Sequence, residues 1–158
     1  MISDVTLRPI EDGDLDTIFE FSRDPESVWM AAFTAKDPDD REAFDAHWSK
    51  IRAREDVTNR VVVGDGRVVG TVACFVMEGD TEITYWIDRA VWGQGVAGRA
   101  VALILEEVTV RPLYGRAASD NAGSIRVLTK AGFEKVGTDV GYAPARKEEI
   151  EETILRLN

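Results

Sequence analysis

Three glycines spaced Gly93-x-Gly95-x-x-Gly98 lie between a β-branched, aromatic run and an apolar-periodic one. That spacing can hold a phosphate, because small residues let backbone N–H groups close on an anion and the helix that follows adds partial positive charge. Trp92, Gln94, Val96, Ala97 and Arg99 belong to the same passage from loop to helix, and Arg99 and Lys130 could neutralise phosphate charge locally. Glu82, in the strand-like run before the loop, is a candidate general base, acting directly or through water. His47 sits on an apolar stripe between Phe44 and Trp48 and reads as a core or pocket-wall residue. Cys74 lies in an apolar run without a basic neighbour and reads as an inert thiol. Trp29 and Trp48 either line an acceptor pocket or fill the core.

The elements that must position these residues follow from periodicity. Thr6–Ile10 reads as a first strand, and Leu15, Ile18 and Phe19 as one face of a helix. Asp24-Pro25 and Asp37-Pro38-Asp39-Asp40 are helix starts; the second opens a helix with Phe44, His47, Trp48 and Ile51 on one face. Arg60–Val63 and Arg67–Met77, joined by Gly64-Asp65-Gly66, form a hairpin, and Thr81–Asp88 extends it to a meander. After the glycine loop, Ala97, Val101, Ile104 and Val108 mark a helix. Leu113–Ser119 then returns parallel to Thr81–Asp88, because a helix lies between them. Asp120-Asn121 caps a helix with Ser124, Val127, Leu128 and Ala131 inward and Gly132 at its end. Phe133–Gly141 and Lys147–Leu157 complete the sheet, the latter read as a strand from the alternation of Thr153, Leu155 and Leu157.

The chain has 158 residues, which fits one domain over 1–158. Acidic residues outnumber basic ones 29 to 19, a net charge of −10. Binding to nucleic acid or an anionic membrane is therefore not expected, whereas a cationic partner suits the field. One cysteine and one histidine leave no intramolecular disulfide and no His-rich metal site, and no calcium-loop spacing occurs, so no metal is expected. The N-terminus lacks the pattern of a signal peptide and no apolar run is long enough to span a bilayer. The expected location is cytoplasmic.

The glycine spacing also matches the dinucleotide fingerprint, which would make the chain an NAD(P)-binding oxidoreductase. Such a fold opens with its glycine loop and continues through parallel units, whereas here the loop follows an antiparallel meander. The surroundings resemble another family. Thr84-Tyr85-Trp86-Ile87-Asp88, Trp92-Gly93-Gln94-Gly95-Val96-Ala97 and Asn121-x-x-Ser124-Ile125-Arg126-Val127-Leu128-x-Lys130-x-Gly132-Phe133 together resemble the GNAT N-acetyltransferases, most of all the ribosomal-protein N-terminal acetyltransferase branch. One departure is that Trp92 opens the loop where many members have Gln or Arg.

The resemblance implies an α/β (α+β) fold, a mixed, mostly antiparallel central sheet with helices on both faces. It implies acetyl-CoA as cosubstrate, its pyrophosphate on the amides from Gly93 to Gly98. The pantetheine arm would lie along Trp86 and Ile87, between splayed strands, beside Asn121 and Ser124. The acceptor would be a primary amine, on a protein N-terminus or a small cationic molecule. Edge strands of such sheets often pair, which leaves a homodimer open. Where many members carry a Tyr that protonates the departing thiolate, this chain has Leu128, so Ser119, Ser124, Tyr85 or water must serve, or no acid is required. That departure keeps a non-catalytic CoA-binding sensor open as an alternative.

Overall fold

The computed structural model describes residues 1–158. Strand β1 (Val5–Pro9) is followed by helices α1 (Leu15–Ser22), α2 (Pro25–Ala31) and α3 (Arg41–Arg52). Then come β2 (Thr58–Gly64), β3 (Arg67–Met77), β4 (Asp80–Ile87), α4 (Val96–Glu107), β5 (Leu113–Ala118), α5 (Ala122–Lys130), β6 (Glu134–Ala143) and β7 (Glu148–Leu157). The seven strands form one sheet in the order β1-β2-β3-β4-β5-β7-β6, antiparallel throughout except at β4 and β5.

Local chemistry accounts for the turns and caps. Asp65 and Gly66 both have positive φ (49° and 82°), the two-residue turn whose twist suits a hairpin. Asp24 and Asp40 accept from the amides of Ser27 and Ala43 and so start α2 and α3. Asn121 caps α5 by accepting from Ser124 N–H at 3.2 Å. Asp120, expected to share that cap, instead takes two hydrogen bonds from Arg146 at 2.8 and 3.1 Å. Val108 lies just beyond α4 in extended backbone rather than on its last turn.

Alternation along β4 sends Ile83, Tyr85 and Ile87 to the face covered by α4 and α5, where the main core gathers Val96, Val101, Ile104, Leu113, Leu128, Phe133 and Leu155. Glu82, Thr84 and Trp86 point to the opposite face, where Phe44 and Trp48 of α3 pack against a smaller cluster of Ile18, Phe21 and Val61. The C-terminal strand takes a place its sequence could not announce: β7 inserts between β5 and β6 and pairs with both.

Candidate active site

Strands β4 and β5 pair over only three positions, Thr81 with Leu113, Glu82 with Tyr114 and Ile83 with Gly115. Beyond Ile83, β4 keeps its ladder with β3 to Ile87, and β5 keeps its ladder with β7 to Ala118. The inner edges of Thr84–Ile87 and Arg116–Ala118 therefore lack a strand partner. Backbone groups left in that state are costly unless something else satisfies them. The gap opens into a cleft of about 1370 Å³, lined at one end by Gly93, Gly95–Gly98, Gly123, Arg126 and Lys130. The other end is lined by Phe33, Phe44, His47, Trp48, Phe75, Met77, Glu82 and Thr84.

The glycine loop has the shape of an anion cradle. Gly93 and Gly95 have φ of 79° and 76°, which L-residues adopt only with strain, and Gly95 caps α4. A Cβ added at Gly93, Gly95 or Gly98 would meet no atom within 4 Å, so these glycines leave open space and are not demanded by packing. Trp92 lines the cleft beside the loop, its indole donating to the Ile87 carbonyl at 2.8 Å. That carbonyl is thereby taken, while Trp86 anchors its own strand by donating to Phe21 O at 3.2 Å. Val96 is buried in the core and Ala97 lies beside it on the cleft wall.

Two residues of the loop motif use their side chains elsewhere. The Gln94 carboxamide accepts from Ile2 N–H at 2.6 Å, and Arg99 donates to the Ser3 carbonyl at 2.8 Å. Both tie the N-terminal segment to the loop, which leaves Gln94 its backbone for an anion and directs Arg99 off the main cleft. Asn121 lines the cleft, but its carboxamide is occupied by the cap and by a 3.4 Å contact with Met30 O. Ser124 places its hydroxyl 2.6 Å from that of Tyr85, in the splay. Ser119 points instead to Thr153, 2.7 Å away.

Glu82 is 8 % exposed and accepts no hydrogen bond; its one ionic partner is Arg116, at 3.6 Å. Burial pushes its carboxyl above the ordinary range, Arg116 opposes the shift, and Glu152, Asp80 and Glu78 reinforce it. A carboxylate so placed is a stronger base than a solvated one. His47 is exposed on α3, which buries none of its residues, and forms part of the cleft wall. Trp48 shares that wall and packs on Phe44 with ring centroids 5.9 Å apart. Trp29 fills neither core nor pocket: it is 52 % exposed and lies under the Arg146 guanidinium at 4.5 Å. Cys74 is buried and its thiol is pushed up to about 11 by desolvation, so no thiolate is available near neutral pH.

Sequence reasoning missed Arg116, Glu152 and Asp139. Arg116 of β5 contacts Glu82 of β4, Glu152 of β7 (3.0 Å) and Asp139 of β6 (3.8 Å) across four adjacent strands. The one local signal was a lone charge in the small, otherwise uncharged run Leu113–Ala118.

Comparison with known proteins agrees with this geometry. Residues 4–134 match the family described as the Acetyltransferase (GNAT) domain. Probable N-acetyltransferase YjcK of Bacillus subtilis (strain 168) is 36 % identical over 81 residues, which is 46 % of this chain and 45 % of that protein; the match thus spans about half of either chain. Among solved structures, Mycobacterium smegmatis RimJ in complex with CoA-disulfide superposes with a TM-score of 0.84 at 21 % identity, over 97 % of this chain and 81 % of that one. A GNAT superfamily phosphinothricin acetyltransferase from Sinorhizobium meliloti in complex with AcCoA gives a TM-score of 0.81 at 18 % identity, over 97 % and 87 % of the two chains. With a sheet opened between β4 and β5, a glycine cradle at the head of α4 and a family match over most of its length, the chain belongs to the GNAT acetyltransferase family.

Proposed function

We propose that this protein is an acetyl-CoA-dependent N-acetyltransferase that moves the acetyl group directly from the thioester to a primary amine, on a small cationic molecule or a peptide N-terminus. The carrying observation is that the unpaired edge of β4, the glycine cradle and the buried carboxylate of Glu82 line one continuous cleft. CoA and AcCoA bound to the two structural neighbours support the same occupant here. The residues suit it. Amides from Gly93 to Gly98 would take the pyrophosphate, Arg126 and Lys130 lie at that end to balance its charge, and the open edge of β4 offers amide groups to pantetheine.

An amine must arrive neutral to attack. A lysine-like group with pKa about 10.4 loses roughly 4–5 kcal/mol at pH 7 by shedding its proton, an α-amine near 8 only about 1. As the neutral nitrogen bonds to the thioester carbon and the carbon–sulfur bond breaks, Glu82 takes, directly or through water, the one further proton that the nitrogen must lose to become an amide. An amide on the open edge of β4 near Trp86 or Ile87 would stabilise the transient oxyanion. The departing thiolate takes its proton from the Tyr85–Ser124 hydroxyl pair or from water. No acyl-enzyme is involved, since Cys74 is buried and un-ionised.

The test pairs titration of acetyl-CoA and NAD⁺ with release of free thiol over a panel of amines. Acetyl-CoA should bind, NAD⁺ should not, and at least one amine should be acetylated. Tight acetyl-CoA binding without turnover on any amine would instead favour a sensor, a reading motivated by Leu128 at the position of the family tyrosine. The oxidoreductase reading has against it a sheet with one parallel strand pair.

A further inference from the structure

We infer that the acceptor carries a second positive charge and that the row of Glu82, Glu152 and Asp139 selects for it, a deepening that rests on the acetyltransferase reading above. The three carboxylates come from β4, β7 and β6 and share one guanidinium, Arg116, at 3.6, 3.0 and 3.8 Å. All four groups line the cleft at the end away from the glycine loop. Glu82 is buried there without a hydrogen-bond donor, so part of its capacity faces the cleft.

The charge count decides what fits. The reacting nitrogen arrives neutral and gives its proton to Glu82. Glu152 and Asp139 then face Arg116 alone, and one negative charge remains unbalanced. A distal ammonium on the same molecule balances it, a neutral tail leaves it standing, and a carboxylate tail adds to it. Arg116 gives such a carboxylate no net attraction, because its single charge is already outnumbered by the three carboxylates within 3.8 Å of it. Glu78 lies at the same end and strengthens the negative field. Asp37 and Asp40 line the cleft as well, one oxygen of each accepting from Asp39 N–H and Ala43 N–H. The cleft's other cations, Arg126 and Lys130, sit at the opposite end beside the glycines. The two substrates thus meet from poles of opposite sign. Glu82 and Glu152 are two strands apart and four positions out of register, since Glu82 is level with Tyr114 and Arg156 whereas Glu152 pairs with Ala118, but their shared hold on Arg116, at 3.6 and 3.0 Å, keeps both carboxyl groups beside one guanidinium. A diamine of short aliphatic length matches the span.

The experiment compares acetyl-CoA turnover on butylamine, putrescine and γ-aminobutyrate, whose chains match in length and whose far ends are neutral, cationic and anionic. Rates are referred to the neutral form of the reacting amine. We expect kcat/KM for putrescine to exceed that for butylamine by about tenfold at low salt, and γ-aminobutyrate to be the poorest. The preference should shrink as ionic strength rises. Asp139 is mostly exposed, so Asp139→Asn should fold normally, and it should lower the putrescine-to-butylamine ratio several-fold. Equal use of putrescine and butylamine, preference for γ-aminobutyrate, or a ratio unmoved by Asp139→Asn would each overturn the inference while leaving acetyl transfer intact. Acetyl-CoA binding with no amine turned over would overturn both.

Discussion

Gly98 separates folding from binding more cleanly than any other position in the loop. It lies in the first turn of α4 with no positive φ, it is exposed, and an added Cβ there would meet no atom within 4 Å. Replacing an exposed helical glycine recovers about 0.5–1 kcal/mol of backbone entropy. An acidic side chain near a helix N-terminus adds about 0.3–1 kcal/mol through the dipole. Gly98→Glu should therefore stabilise the free protein by about 1 kcal/mol or more, seen as a rise in Tm of roughly 2–4 °C per kcal/mol for a chain of this size. The same carboxylate would stand in the cradle beside two phosphoryl groups. At about 5 Å and an effective dielectric constant of about 40, one repulsive pair costs roughly 1.7 kcal/mol, more than tenfold in affinity. Thermal melts of the free protein and calorimetric titration with acetyl-CoA should move in opposite directions. Gly95→Glu should lose both properties, because Gly95 occupies the left-handed region. An unchanged acetyl-CoA affinity in Gly98→Glu would refute the phosphate assignment, and a lower Tm would show that packing, not a ligand, requires the glycine.

Glu82→Gln should lower kcat by about 10²–10⁴ with acetyl-CoA affinity retained; the acid limb of the parent's pH–rate profile should lie above the ordinary value of 4.5 and vanish in the variant. Asp24, held down to about 2 chiefly by the Arg89 guanidinium and further by Ser27, contributes stability that is present above about 3.8 and lost as pH falls toward 2. Asp24→Ala should remove that acid-side loss in urea titrations and, with the α2 cap gone, cost about 1 kcal/mol at neutral pH. Cys74→Ala should keep its turnover, and the native parent should resist thiol alkylation near neutral pH; loss of activity with normal folding would reopen an acyl-enzyme route. Tyr85→Phe and Ser124→Ala should each reduce kcat less than Glu82→Gln does, an order that single-turnover rates would check.

Local signals and long-range geometry separate sharply in this chain. The hairpin turn at Asp65-Gly66, the caps at Asp24, Asp40 and Asn121, and the glycine loop are written within a few residues of each other, so periodicity and turn chemistry reach them. The β4–β5 splay is not written that way. It depends on where two ladders stop, and both strands read as ordinary β-branched or small-residue runs. The acidic row was illegible for the same reason. Glu82, Arg116, Asp139 and Glu152 meet only because β7 enters between β5 and β6, and strand order leaves no local trace. Gln94 and Arg99 show the reverse limit, since motif position alone assigned them to a ligand, yet their side chains hold Ile2 and Ser3.

In the proposed reaction, Leu128 in place of the tyrosine that the resemblance implies is tolerable because the two proton transfers are unequal. Leu128 is 2 % exposed and its methyl groups pack where a Cβ on Gly115 would fall, so this position has been given to the core. A tyrosine there would overpack, at a cost of about 1–3 kcal/mol. What is forfeited is small. A thiol of pKa about 8.5 leaves as a thiolate near neutral pH, and its reprotonation at pH 7 is downhill by only about 2 kcal/mol. An alkylamine of pKa about 10.4 must instead be deprotonated before or during attack, against roughly twice that gradient. For the acetyl transfer proposed above, the demand on this cleft therefore falls on the base and on the charge that would bring the amine to it. A buried Glu82 beside an acidic row, with the Tyr85–Ser124 hydroxyl pair proposed for the leaving thiolate, is the arrangement that this inequality favours.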